Sequence, residues 1–199
     1  MTRTFLTIAA LSALASQPAN AADNFAEYGV NIGLSPFGAA FNASYNPSKK
    51  TTFTATMGGA PEGKAPFKPT VEDVEYELEA SSSWMGFFIN HRPFKDADWF
   101  RFNTGIGIGR IMQTLEDGDG NTYTANYTEN PVGYFGVGFG LRPVKGFQYG
   151  LDLGLLHTGG PTVVKTGGDG ADASEDLAAD FLVGTPTMPN LQLSVGWGF

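Results

Sequence analysis

The sequence predicts an all-β fold, an eight-stranded antiparallel up-and-down transmembrane β-barrel. Three observations carry this. The first is the last nine residues, in which Leu191, Leu193, Val195, Trp197 and Phe199 alternate with Gln192, Ser194, Gly196 and Gly198. A period of two sets a wholly apolar face against a polar or empty one. With the strand ending on Phe199, lipid is the natural cover for the apolar face. The second is that no stretch after residue 21 approaches the about 20 apolar residues of a spanning helix, so any spanning must be by strands. The third is rhythm. Eight strand-like runs are joined by turns and loops whose lengths alternate with the phase of a barrel that has both termini on one side. A soluble β-sandwich or a lipocalin-like barrel also shows many short alternating strands and is the competing fold.

Taken in order, Met1 to Ala21 reads as a secretory signal peptide. Arg3 is the positive start, Phe5 to Ala15 the apolar stretch, and Ala19-Asn20-Ala21 the cleavage pattern. The remainder, 22–199, is about 178 of the 199 residues and suits one domain. Run one is about Ala26–Ser35, with Tyr28, Val30, Ile32 and Leu34 on one face. Run two is about Gly38–Asn46, with Ala39, Phe41, Ala43 and Tyr45 outward. A polar turn, Asn46 to Lys50, leads to run three, about Thr51–Gly59, where Phe53, Ala55 and Met57 oppose Thr52, Thr54 and Thr56. A Pro-rich loop, Ala60 to Val71, precedes run four, about Glu72–Arg92. A tight turn, Pro93 to Asp98, leads to run five, about Trp99–Gln113, with Phe100, Phe102, Ile106 and Ile108 outward.

Thr114 to Asn130 reads as a polar acidic loop. Run six is about Val132–Arg142, with Phe135, Val137, Phe139 and Leu141 outward, and Pro143 to Gly146 is a third tight turn. Run seven is about Phe147–Val164, and the terminal strand is run eight. Between them Lys165 to Pro189 is the longest loop, with a short helix at about Ser174–Leu182 that Ser174 would cap and Leu177, Phe181 and Leu182 would pack. Runs four and seven exceed the ~10 residues of a membrane strand and are expected to project as hairpins.

Composition narrows the function. Gly is frequent (27) and aromatics reach 13%, which suits a curved barrel with aromatic girdles. The chain has no Cys, which excludes disulfides and thiolate metal sites. A formal charge of −8 argues against a nucleic-acid partner.

The terminal strand, ending in aromatics with Trp197 and a final Phe199, resembles the C-terminal signal of bacterial outer-membrane β-barrels. The whole pattern resembles small eight-stranded proteins of the OmpX, OmpW and OmpA-barrel type. In overall texture it is also similar to an uncharacterised proteobacterial outer-membrane family. The resemblance implies a Gram-negative outer-membrane location with periplasmic termini. It also implies contact with lipid and lipopolysaccharide, assembly through the last strand, and a monomer.

The inward parity collects Asn31, Asn42, Ser44, Thr54, Thr56, Asn90, Asn103, Gln148, Gln192 and Ser194. It also collects Arg92, Arg101, Arg142 and Asp152 at matching depth. An eight-stranded barrel is only just filled by its side chains. These four are therefore either a charge-paired plug or a cationic constriction for a small anion, since one Asp cannot neutralise three Arg. Glycines at 105, 107, 109, 136, 138, 140, 150, 154, 196 and 198 fall on the same face. They either make room for Trp84, Phe88 and Tyr134 or leave a pocket lined by them.

Candidate chemistry is sparse. Nucleophilic catalysis needs a hydroxyl within reach of a His. The lipid A deacylase pattern of a His with a Ser two residues on is absent, because Gly159 follows His157 at that spacing. His91 has no such Ser either. Asp117, Asp119 and Asn121 echo half of a calcium loop, yet the twelfth position is Thr128, and the run is also good turn chemistry. The expectation is a non-enzymatic protein without a cofactor, calcium at the external loops being the one candidate. Its role would be structural or surface-interacting through acidic loops. A narrow channel or hydrophobic-solute conduit is the alternative, and an acyl hydrolase the third reading.

Overall fold

Alternation builds the strands, and their pairing closes them into a ring. A computed structural model describes residues 24–65, 67–127, 131–180 and 183–199, so the predicted signal peptide, Thr128, Phe181 and Leu182 lie outside the described residues. The strands are β1 (Tyr28–Ser35), β2 (Gly38–Tyr45), β3 (Thr51–Lys64), β4 (Thr70–Val71), β5 (Val74–His91) and β6 (Phe100–Asp117). They continue as β7 (Thr122–Asn126), β8 (Val132–Gly140), β9 (Gly146–His157), β10 (Thr162–Gly167) and β11 (Thr187–Gly198), with helix α1 (Ser174–Ala179) between the last two. Eight of them pair antiparallel in a cycle, β1-β2-β3-β5-β6-β8-β9-β11, and β11 returns to β1. The first and last strands meet in register, Val30 opposite Trp197 and Ile32 opposite Val195. Phe199 N and Tyr28 O bond at 2.9 Å just beyond them.

The outward parity is apolar around the whole ring. Ile32, Leu34, Phe41, Met57, Met85, Ile106, Ile108, Phe135, Leu155, Leu193 and Val195 are all exposed. Aromatic residues gather at the end that holds the termini. Tyr28 lies against Tyr45 at 5.5 Å between centroids, and Trp99 stacks on Phe139 at 5.9 Å. In water this surface would be an aggregation hazard; in a bilayer it is the solvated one.

Several expectations are corrected. The 114–130 segment is not a loop: β6 runs to Asp117, turns, and returns as β7, because Leu115, Tyr123 and Ala125 continue the alternation. Run seven is broken after His157, and its far part is the separate strand β10, since Gly159, Gly160 and Pro161 interrupt it. Run four projects as β5, with β6 as its partner in the hairpin, and the far part of run seven joins them only as the separate strand β10, through β7. β3 extends to Lys64, and β11 begins at Thr187, inside the segment expected to be loop. Helix α1 is capped at Ala173 without a side-chain bond, so Ser174 is not its cap; Leu177 is fully buried, as expected.

The projecting parts form a lobe with its own core. Val71, Tyr76, Leu78, Leu115, Tyr123, Ala125, Leu177 and Val183 pack together, from β4, β5, β6, β7, α1 and the strap after it. Tyr76 and Tyr123 meet edge to face at 6.0 Å. Each large buried side chain here is worth about 1.5–3 kcal/mol. That is why these long connections are ordered structure.

Leu141 is the other correction. Parity alone places it outward, but Gly140 (φ +76°) and Leu141 (φ +46°) end β8 and turn the chain under the ring. Leu141 then lines the lumen. The turn from Leu141 to Lys145 bonds to the N-terminal segment, Ala26 N to Pro143 O at 3.0 Å and Lys145 N to Asn24 O at 2.9 Å. Together they floor the ring.

Candidate functional site: the lumen

Inward residues of β1, β2, β3 and β5 form rungs of short polar side chains. Asn42 Nδ2 donates to Asn31 Oδ1 at 2.7 Å, and Thr56 Oγ1 donates to Asn42 Oδ1 at 2.6 Å. Ser44 and Thr54 share a bond of 3.2 Å, and Asn90 Nδ2 donates to Thr54 Oγ1 at 3.2 Å. Nearest the floor, Thr52 Oγ1 donates to Asn46 Oδ1 at 2.6 Å, and Asn46 Nδ2 to Ala26 O at 2.9 Å. Small β-propensive Thr and Asn fit this face because each bonds its cross-strand neighbour and leaves little polar capacity unmet.

The opposite wall, β6, β8 and β9, carries the charges. Arg101 Nη2 donates to both oxygens of Asp152 at 2.8 Å. Arg101 Nη1 donates to Gly140 O, and Asn103 Nδ2 to Asp152 Oδ1. Arg101, Asn103 and Asp152 are all buried. A Cβ at Gly138 would collide with Asp152 Oδ1 and Arg101 Nε, so that glycine makes space for the pair. Gly105 likewise seats the Phe88 ring and Gly154 the Tyr134 ring, which meet edge to face at 5.6 Å. The glycine face is thus largely filled by aromatics and the ion pair.

Of the predicted constriction, the structure brings Arg101 and Asp152 together and sets Arg92 beside Arg101, where the β5–β6 register continues past His91 and Phe102. Arg92 is 2% exposed and donates from Nη1 to Thr52 Oγ1 at 3.1 Å and from Nη2 to Leu141 O at 2.6 Å. Arg142 does not join the buried cluster. It lies past the end of β8, half-exposed, with Nη1 3.4 Å from Asp98 Oδ1. Trp84 lines the same cavity as Phe88 and Tyr134 but sits higher, and it donates Nε1–H to Phe37 O at 3.1 Å. That bond and Ser82 Oγ to Phe37 O at 2.7 Å draw the β1–β2 turn over the upper lumen. Between this cap and the floor lies a cavity of about 130 Å³, lined by Asn and Thr rungs on one side and by Phe88, Tyr134, Arg101 and Asp152 on the other. It has room for several water molecules.

Outside the lumen, the Asp117 turn is self-satisfied. Asp117 Oδ1 accepts from Asp119 N at 3.0 Å and Asn121 N at 2.9 Å, and Oδ2 accepts from Asn121 Nδ2 at 2.8 Å. Asn121 Oδ1 accepts from Gly170 N at 2.8 Å. The side chains of Asp117 and Asn121 are therefore engaged in locking a turn to the next loop, Asp119 contributes its backbone N–H, and no group of three metal-ligating side chains forms among the described residues. Each histidine pairs with a cross-strand threonine: His157 Nδ1 lies 2.8 Å from Thr187 Oγ1, and His91 Nδ1 3.3 Å from Thr51 Oγ1. Both pairs are exposed at the two rims of the ring, and among the described residues neither imidazole is held by a carboxylate.

The sequence reading overlooked the floor and the cap. The positive-φ turn after Gly140 gave no sign beyond Pro143, whereas Ser35-Pro36-Phe37-Gly38 was legible as a turn but not as one tucked inward.

No protein-family model matches the chain, and no curated relative matches it. Solved structures do. CarO of Acinetobacter baumannii superposes with a TM-score of 0.65 at 15% identity, over 86% of this chain and 97% of that one. CarO2 of the same organism gives 0.66 at 13%, over 89% and 100%. A major outer membrane protein from Thermus thermophilus gives 0.55 at 12%, over 86% and 98%. At such identities the likeness is one of fold. The chain has an all-β, closed antiparallel architecture of the kind that an outer membrane protein adopts.

Proposed function

We propose that this chain is an integral outer-membrane protein of a Gram-negative bacterium, an eight-stranded transmembrane β-barrel with a plugged lumen and no enzymatic activity. Its task is to present the folded acidic lobe at the cell surface. One observation carries this reading: the ring is apolar on its whole outer face, while its inside is filled by polar rungs on one wall and by the buried Arg101–Asp152 pair on the other. A buried ion pair seated along one wall over Gly138, with polar rungs opposite, fills the lumen as a stopper that gives the barrel rigidity. The contact surface is the lobe. Segments 60–82, 110–131 and 158–187 hold 15 Asp and Glu against 4 Lys and Arg. Such a surface meets lipopolysaccharide through shared divalent cations and repels nucleic acid. Trp197 and Phe199, exposed at the closing strand, are the segment that assembly machinery would read. The protein acts as a monomer without a cofactor.

The second reading, a narrow conduit, is favoured by the cavity and by the excess of Arg over Asp around it. The histidine–threonine pairs offer a hydroxyl near an imidazole, but with no third group to orient the base they are girdle contacts, which leaves acyl hydrolysis the weakest reading. Planar-bilayer recording of the refolded protein separates the first two. The plugged reading expects no discrete openings at any applied voltage in the wild type. Steady anion-selective openings that are altered in Arg101→Ala would replace it with the channel reading.

A further inference from the structure

Among the described residues, Arg92 is the buried cation of the ring that has no carboxylate partner. Arg101 shares Asp152, and Arg142 reaches Asp98; among the described residues Arg92 has no ion pair. Two of its nitrogens donate to the neutral acceptors Thr52 Oγ1 and Leu141 O, and its Nε–H has no acceptor. A guanidinium removed from water and left uncompensated is among the costliest groups a fold can hold. Arg101 stands beside it along the same lumen and adds a like charge.

The cavity reaches this point. Arg92, Arg101, Leu141, Gln148 and Asn103 all line it. An unmet donor, a buried positive charge without an ion pair among the described residues and about 130 Å³ of lumen space therefore coincide in a chain whose overall charge is −8. Most of the negative charge of the chain lies in the lobe, at the other end of the ring; Asp98 and Asp152 act on Arg92 through space, but neither forms an ion pair with it.

We propose that the lower lumen binds one small monovalent anion, of halide or carboxylate size, as the counterion of Arg92. It accepts from the guanidinium and lies on the floor side of the Arg101–Asp152 pair. This site is independent of the lobe's role at the surface and stands whether the lumen is a plug or a passage.

Thr52 provides the means to test it. Its Oγ1 is 3.1 Å from Arg92 Nη1, so Thr52→Asp puts a carboxylate where it replaces the anion. The refolded protein is unfolded in urea at constant ionic strength, in sodium chloride, in sodium bromide and in sodium gluconate, whose anion is too large to enter. The wild type is expected to show a urea midpoint that rises saturably with chloride or bromide over gluconate. Thr52→Asp is expected to show equal midpoints in all three salts. Equal midpoints in the wild type overturn the proposal, and so does a halide effect that persists in Thr52→Asp, which would put the anion elsewhere. Should Thr52→Asp not refold, bromide-soaked wild-type crystals decide. An anomalous peak within hydrogen-bonding reach of Arg92 supports the site, and a lumen without one overturns it.

Discussion

At the scale of single residues, the lumen depends on space cleared by glycine and then filled by something specific. Gly154 sits against Tyr134, whose hydroxyl and ring would meet any added Cβ within 2.6 Å, whereas a Cβ at Gly133 would find nothing nearer than His157 O at 3.9 Å. Gly154→Ala should therefore destabilise the refolded protein by about 1–3 kcal/mol in urea unfolding, the usual cost of overpacking, and Gly133→Ala should be close to neutral. Equal effects would mean that the aromatic pair does not define the wall. The Arg101–Asp152 pair is the other residue-scale test. Removing one partner strands a buried charge, so Asp152→Asn should cost about 3–5 kcal/mol. The double change Arg101→Met with Asp152→Leu should recover a good part of that. A double variant no better than the single one would show that the pair's worth lies outside charge compensation.

At the scale of elements, the eight strands of the ring were legible because each carries an apolar outer face and a polar or glycine inner one and must alternate. The lobe was not legible, for a physical reason. Its strands are short, and their alternation, Leu115 or Tyr123-Thr124-Ala125, is interrupted by turn residues and acids that read as loop. What orders them is tertiary: α1 and the strap after it cover the flap of β5, β6, β7 and β10. The constriction was legible in Arg101 and Asp152, which strict parity places inward. Parity misplaced Leu141, because the left-handed turn at Gly140–Leu141 resets it; Arg142, just after that turn, lines the cavity but stays half-exposed outside the buried cluster. Tyr127 is the clasp of the lobe, its hydroxyl donating to Val183 O at 2.7 Å. Burial pushes this phenol up to about 12, against about 10 in an unfolded chain. The protonated clasp thus contributes fully below about pH 10, and its contribution is lost as pH rises towards about 12. Hydrogen exchange across 158–187 should speed up in that window, and Tyr127→Phe should exchange faster at pH 8 with the alkaline step gone. An alkaline step that persists in Tyr127→Phe would place the clasp elsewhere.

At the scale of the whole molecule, the account is of a charge-separated object. An acidic lobe stands on an apolar ring whose lumen is polar and whose floor is basic, and only a membrane solvates all three. The central claim is that the ring's outer face lies in lipid. Its three Trp residues report on it directly: Trp197 and Trp99 are exposed on the outside, and Trp84 is turned into the lumen against Phe37. Variants keeping one Trp each, the others changed to Phe, can be refolded into vesicles of brominated phospholipid and their fluorescence compared with that in unbrominated vesicles. The account predicts strong quenching of Trp197 and Trp99 and weak quenching of Trp84. Three tryptophans that are equally unquenched would contradict it, because the apolar face would then be covered by something other than a bilayer.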